Sequence, residues 1–412
     1  MPKILVTAEP FGFGPASKLH AIVTELADRN FDCHFIGRSS SLTFMRCNGE
    51  PYSSITELKD LDELAALGAH GFDAALSVMD PNLVAWASAH RVPCLYVDSL
   101  FWFWPWPAGR QAGIRETVSR LASTTDPAQA LEIIGSLPMH DSQLAAHMLS
   151  TSSCVQRAPG TAERTQLLRD VAAVVEVDGI VDLSHRSPAR PRVWLATCSG
   201  MVNSLLPLRS ALDWVRISCA LIEEAGAALG TRDPVILAGN PEVLRFAGDI
   251  ASARIQPTPM SSAEMLGAMN YAFACLTPPG LTTMLESAAY GLPLILLPEQ
   301  HYGHRANFHR IAAGEPGVYP NGLLGPEVGS NPHANQQLDE TLVVAEELKM
   351  HFSAKDAVWT RMIDGLADGM RRAMNDRASL AALQERSIRR VVGGFEGTSQ
   401  VAKAMESIVT GV

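Results

Sequence analysis

Residues 277–300 read Thr-Pro-Pro-Gly-Leu-Thr-Thr-Met-Leu-Glu-Ser-Ala-Ala-Tyr-Gly-Leu-Pro-Leu-Ile-Leu-Leu-Pro-Glu-Gln, an order of glycine, hydroxyls, acid and apolar run that suits a diphosphate and a ribose. Gly280 is expected to turn the chain with backbone angles closed to other residues, and 281–290 then reads as a helix stopped by Gly291. The free N–H groups and positive dipole at such a helix start attract a diphosphate, and Thr282 and Thr283 add hydroxyl donors. Glu286 lies four residues after Thr282 and three after Thr283, so all three share a helix face. A carboxylate one turn further along can accept both hydroxyls of a ribose. The run 292–297, with Pro293 near its start and Pro298 just past its end, has the pattern of a buried parallel strand. Its end delivers Glu299, Gln300, His301, His304, Arg305 and Asn307 to the sheet rim, where open α/β sheets bind ligands.

These residues resemble the donor-binding signature of the two-domain GT-B glycosyltransferases, a group that includes the transferase adding N-acetylglucosamine to lipid I. The likeness spans roughly residues 255–312 and elsewhere rests on the order of elements. It implies that Glu286 holds the ribose, that Gly280, Thr282 and Thr283 hold the diphosphate, and that the 299–307 loop, with Gln300 and His304, holds the sugar. Arg305 departs from the pattern, standing near where that transferase carries a sugar-reading Gln. A guanidinium binds a carboxylate bidentately, which favours a uronic acid donor such as UDP-glucuronic acid. The competing reading makes Arg305 a solvated or capping residue.

The elements needed to position such a site are legible along the chain. Residues 3–7, 32–36, 74–78 and 94–97 read as strands, with a helix at 16–28, giving a βαβ series. Residues 124–176 read as mostly helical or irregular. The Pro- and Ser-containing stretch 185–191 reads as a linker, followed by strands at 192–196, 234–237, 272–276 and 293–297 and helices at 210–229 and 263–269. The expected fold is α/β of GT-B type, with two Rossmann-like doubly wound domains facing a cleft. The expected division is an acceptor-binding domain at 1–190 and a UDP-sugar-binding domain at 191–412, closed by helices within 342–383 and 397–409. GT-B chains often send the last helix back to the first domain.

Composition agrees with a globular chain of this kind: among 412 residues 47% are hydrophobic and 18% charged. A net charge of −10 argues against nucleic acid as the main partner. The seven cysteines contain no C-x-x-C pair, and they read as reduced thiols of a cytoplasmic protein. The N-terminus runs straight into a strand, without the pattern of a signal peptide, and no apolar run is long enough to span a bilayer. Oligomeric state stays open, a homodimer among the outcomes.

Three further segments bear on chemistry. In the first loop, Glu9-Pro-Phe-Gly-Phe-Gly-Pro-Ala-Ser-Lys-Leu-His20, Gly12 and Gly14 permit a tight turn and Pro15 suits the start of a helix. The loop lacks the third Gly of a dinucleotide fingerprint and the Gly-Lys-Ser/Thr of a P-loop, so ATP is not expected. By the GT-B resemblance it lies under the reacting sugar and acceptor, which makes Phe13, Gly14, Ser17 and Lys18 acceptor or diphosphate contacts, with His20 packed in the core. Ser199 and Gly200, after the first strand of the second domain, would face the diphosphate from the other side. Asp98-Ser-Leu-Phe-Trp-Phe-Trp-Pro-Trp-Pro107 follows a strand end, where Phe101, Trp102 and Trp104 could stack a flat acceptor or form a hydrophobic plug. Asp98, Asp80 and Glu9 are the carboxylates at first-domain strand ends, each a candidate base, with Asp98 favoured for its nearness to the aromatics. His301, His304 and His309 match no recognised metal-ligand spacing, so neither metal nor cofactor is expected.

The first loop and the 98–104 stretch are also similar to cytosylglucuronate synthases of peptidyl nucleoside antibiotic pathways, which join cytosine to glucuronic acid from UDP-glucuronic acid. The combined expectation is an inverting, metal-independent glycosyltransferase acting on a UDP-sugar and a small flat acceptor. An acceptor in the first domain attacks the anomeric carbon opposite UDP, and helix N-termini with Lys18 or Arg305 stabilise the leaving diphosphate. A UDP-N-acetylglucosamine 2-epimerase and a non-catalytic nucleotide-sugar-binding protein are the alternatives.

Overall fold

The computed structural model describes residues 1–104, 106–107, 109–198, 201, 206–250, 252–312, 317–324 and 334–411, the side chains of 334–340 excepted. The chain forms two compact units, Met1–Pro10 with Pro15–Asp182 and Val392–Val412, and Phe11–Gly14 with Leu183–Val391.

In the first unit, seven strands run β1 (Lys3–Ala8), β2 (Asp32–Gly37), β3 (Ser54–Glu57), β4 (Ala74–Val78), β5 (Cys94–Asp98), β6 (Ser152–Gln156) and β7 (Val174–Val177). They form one sheet in the order β3-β2-β1-β4-β5-β6-β7, and every pairing is parallel. Helices connect successive strands, so the central strands are covered on both faces; all of β4 and β5 is buried. One cluster joins Leu5, Leu83, Trp86, Tyr96 and Leu131, and a second joins Phe101, Leu121, Ile134, Leu144 and Val155. The sequence reading missed β3, β6 and β7, and 124–176 is not purely helical or irregular. Ser152–Gln156 carries two serines and a glutamine, so its strand character comes from pairing between β5 and β7 and not from an apolar run.

The second unit holds β8 (Val193–Thr197), β9 (Val235–Ala238), β10 (Ile255–Pro257), β11 (Ala272–Thr277) and β12 (Leu294–Leu296), parallel in the order β10-β9-β8-β11-β12. Its core joins Trp194, Trp214, Leu221, Ile295, Trp359 and Met362. The helix Leu208–Leu229 ends where Gly230 takes φ 74°, a left-handed stop, and Ser261 with Glu264 forms a capping box before the helix Ser262–Tyr271.

The last residues differ from a simple division at 190. Val392–Val412 folds into the first unit, and the helix Gly397–Thr410 lies over β4 to β7. Thr398 Oγ1 donates to Val181 O at 2.8 Å, and Asp178 N donates to Gln400 Oε1 at 2.8 Å. Gly393 makes the return possible: it sits at φ 84°, and a Cβ there would fall 2.6 Å from Asp178 Oδ1 and 2.2 Å from Arg157 Nη1.

Candidate active site

The donor motif is built in the second unit on the helix Leu281–Ala289, which follows the C-terminal end of β11. The N-cap of this helix is Gly280, which has no side chain to offer, and the first-turn N–H groups at the end of β11 have no intrahelical acceptors. Gly280 sits at φ −80° and ψ 123°, an extended conformation open to any residue, which corrects the expectation of a special backbone angle there. The left-handed glycine is Gly291, at φ 62° after the helix. Thr283 and Glu286 are each 9% exposed. Phe11–Gly14, expected to serve the first domain, packs within the second unit. A Cβ on Gly14 would come 3.3 Å from Thr282 Oγ1, and the Phe11 ring meets His301 edge-on at 6.1 Å.

The rim loop is firmly held. Glu299 is 1% exposed and accepts from Leu324 N at 2.8 Å. Asn307 Nδ2 donates to Pro279 O at 2.9 Å, tying the helix Tyr302–Ile311 to the turn before Gly280. Gln300 N donates to His304 Nδ1 at 3.3 Å, which leaves the His304 proton on Nε2. The His301 and His304 rings lie 3.8 Å apart, both neutral: burial lowers His301 to about 4, and burial followed by the neighbouring His301 holds His304 well below the usual range. Gln300 lines a small cavity with Ser210, Asp213, Trp214 and Lys349, and its buried Nε2 has no hydrogen-bond partner among the described residues. Arg305 is already paired: Nη2 donates to Glu347 Oε2 at 2.8 Å, and Nε lies 3.7 Å from Glu299 Oε1.

The carboxylates of the first unit separate clearly. Asp98 has no exposed surface. It accepts from Leu100 N at 2.8 Å and Trp104 Nε1 at 2.7 Å, and His147 Nε2 stands 3.1 Å from its Oδ2. A carboxylate this enclosed anchors its own loop, which weighs against Asp98 as the base. The aromatic stretch is likewise a plug and not an open shelf: Phe101, Trp102 and Trp104 are all buried. Arg164 Nη1 donates to Phe101 O at 3.1 Å and to Trp104 O, drawing the segment back onto the strand end. Lys18 is also buried and donates to Gln156 Oε1 at 2.7 Å, while Ser17 is half-buried on the same helix, Gly14–Asp28. Phe13 is half-buried in the loop of the second unit. Ser199 and Gly200 lie outside the described residues.

Glu9 and Asp80 are half-buried at adjoining strand ends. Ala8 pairs with Val78, and Glu9 N donates to Val78 O at 2.9 Å, so the chain beyond β1 runs beside Met79 and Asp80. Burial, then the Asp80 charge, raises Glu9 to about 8, partly offset by Arg38. Burial also raises Asp80, against the pull of Asn82, Arg38 and Thr7. The sequence placed both carboxylates at strand ends, and the parallel pairing of β1 with β4 is what sets those two ends side by side. Among the described residues no group of three or more His, Cys, Asp or Glu is arranged to hold a metal ion, and no helix is long and apolar enough to cross a membrane.

No family model matches the chain, and none of the curated proteins does. Solved structures do. A UDP-N-acetylglucosamine 2-epimerase candidate from Listeria monocytogenes matches with a TM-score of 0.54 at 11% identity, covering 100% of this chain and 97% of that one. Phytolacca americana UGT2, complexed with UDP-2fluoro-glucose and pterostilbene, matches at 0.51 and 16%, covering 99% and 100%. A UGT transferase from Siraitia grosvenorii in complex with UDP matches at 0.51 and 12%, again covering 99% and 100%. The fold is therefore that of the GT-B class, two Rossmann-like units with parallel sheets.

Proposed function

We propose that this protein is a UDP-sugar glycosyltransferase that moves a sugar, with glucuronic acid favoured, to a small flat acceptor such as cytosine. The observation that carries the reading is the start of the helix Leu281–Ala289 behind its N-cap Gly280, with Thr282, Thr283 and Glu286 on one face and Gly14 against Thr282. The N–H groups and hydroxyls suit a diphosphate, and Glu286 one turn on suits the ribose. Neutral His304 offers an Nε2–H, and Gln300 a buried amide, to sugar hydroxyls. Arg305 supports a uronic acid donor if the sugar carboxylate replaces Glu347, whose side chain is 42% exposed, as its partner. The similarity of two solved neighbours described with UDP ligands adds to the same reading.

The proposed step is an inverting displacement that needs no metal. A nitrogen of the acceptor attacks the anomeric carbon, and the bond to UDP breaks with its electron pair leaving on the diphosphate. Of the first unit's strand-end carboxylates Asp98 is sealed and Asp80 is held as the cap of the following helix, which leaves Glu9 to suit the base.

The test is incubation of the protein with UDP-glucuronic acid, UDP-glucose and UDP-N-acetylglucosamine, each with and without cytosine, following UDP release and product mass. Cytosine-dependent release from UDP-glucuronic acid alone is expected. Release from a different donor keeps the transferase and removes the glucuronic acid preference. Sugar interconversion without acceptor would establish the 2-epimerase reading, which the Listeria neighbour favours.

A further inference from the structure

We propose that Asp80 is a positioning residue whose fixed charge makes Glu9 the base that takes the acceptor's proton. The inference rests on the transferase reading above.

The geometry at this strand end is built. Met79 adopts φ 62°, a left-handed conformation that is unfavourable for a bulky residue and persists only where its surroundings enforce it. Here they do. Met79 N donates to Val97 O at 2.9 Å, Gln143 Nε2 donates to Met79 O at 3.1 Å, and Ser99 Oγ donates to Met79 Sδ at 3.2 Å. Gln143 is in turn held by the Tyr96 hydroxyl. The twist carries the chain out of β4 into Asp80, whose Oδ1 accepts from Asn82 N at 3.0 Å and Asn82 Nδ2 at 2.8 Å. Asp80 is therefore held in place at the end of β4, and Glu9 follows the adjoining strand end, its backbone N–H bonded to Val78 O.

The groups facing Glu9 are Asp80 after β4, Arg38 after β2 and the Tyr96 hydroxyl of β5. Arg38 is exposed and only partly offsets the effect of Asp80. Burial raises the proton affinity of Glu9 and the nearby Asp80 carboxylate raises it further, and a base is most effective when it ionises near the working pH. In the step, the acceptor's lone pair forms the new bond to the anomeric carbon, UDP departs with the electrons of the old bond, and the acceptor's N–H or O–H proton ends on the Glu9 carboxylate. The arrangement suits a neutral acceptor with an ionisable N–H, because an anionic one would meet the Asp80 charge.

The experiment compares wild type with Asp80→Asn, using Glu9→Gln to assign the Glu9 carboxyl signal in protein labelled with carbon-13 glutamate. Asparagine keeps the oxygen that caps the following helix, so folding is expected to survive. Two quantities are followed against pH: the Glu9 titration midpoint, and kcat/KM for cytosine with the active donor. In wild type both are expected to rise through a midpoint near 8. In Asp80→Asn both are expected to shift down together by about one unit, a tenfold change in proton affinity. An unchanged midpoint overturns the inference whatever the activity does. A midpoint that falls while the pH–rate limb stays fixed overturns the role of Glu9 as base. Wild type that titrates as expected but turns over none of the three donors removes the transferase reading and the base role with it, leaving only the electrostatic coupling.

Discussion

Asp98 Oδ2 and His147 Nε2 stand 3.1 Å apart, and neither side chain has any exposed surface. The same oxygen accepts from Trp104 Nε1, so one enclosed carboxylate ties β5 to the aromatic plug and to the helix Met139–Leu149. Removing it strands buried donors, which costs about 1–3 kcal/mol for each one left unpaired. Asp98→Ala is expected to lose stability of that order in urea unfolding. Full stability with abolished turnover would return Asp98 to the chemistry.

Glu286 is assigned to the ribose. Glu286→Ala is expected to weaken UDP binding by about 10- to 100-fold in calorimetry, the worth of a hydrogen bond or two to a charged acceptor. Wild type should discriminate against 2′-deoxy-UDP, and the variant should not. Equal discrimination in both would separate Glu286 from the ribose.

Arg305 provides the test of donor identity. Arg305→Gln is expected to lower kcat/KM for UDP-glucuronic acid at least about tenfold more than for UDP-glucose, the scale of one charge-assisted pair. A parallel loss for both donors would reduce Arg305 to its structural pairs with Glu299 and Glu347.

Glu9 carries a stability signature as well. Its affinity for a proton is raised in the folded state, from 4.5 to about 8. Its contribution is therefore fully present below 4.5 and is lost as pH rises through about 8. Glu9→Gln should melt within error of wild type at acid pH and several degrees above it at pH values beyond 8. A constant difference across that range would contradict the burial argument.

His301 has the opposite sign. Burial depresses it from 6.5 to about 4, so the stability of its neutral form is present above 6.5 and is lost as pH falls through about 4. His301→Gln should lose less stability than wild type between neutral pH and the acid range, measured by denaturant unfolding at each pH. Equal losses would mean that the ring is protonated freely.

Much of the fold could be read from residue order. Apolar runs such as Ala74–Val78 and Cys94–Asp98 declare buried parallel strands because both faces are covered, and the helix from Leu281 could be placed from its own spacing. The donor motif was legible for the same reason: Thr282, Thr283 and Glu286 are neighbours on a single helix, so local periodicity determines their shared face.

What the sequence could not supply were relations between distant segments. The strand Ser152–Gln156 exists because β5 and β7 flank it, and Val392–Val412 joins the first unit through contacts with residues far earlier in the chain. Asp98 and Glu9 look alike as acids at strand ends. Only tertiary packing seals Asp98 beneath Trp104 and His147 and leaves Glu9 half-open beside Asp80, because burial and charge proximity depend on what the rest of the chain brings near. Arg305 likewise reads as an available cation until Glu299 and Glu347 meet it. Residue types and local spacing determined which groups could do chemistry, and the three-dimensional environment decided which of them are still open to do it.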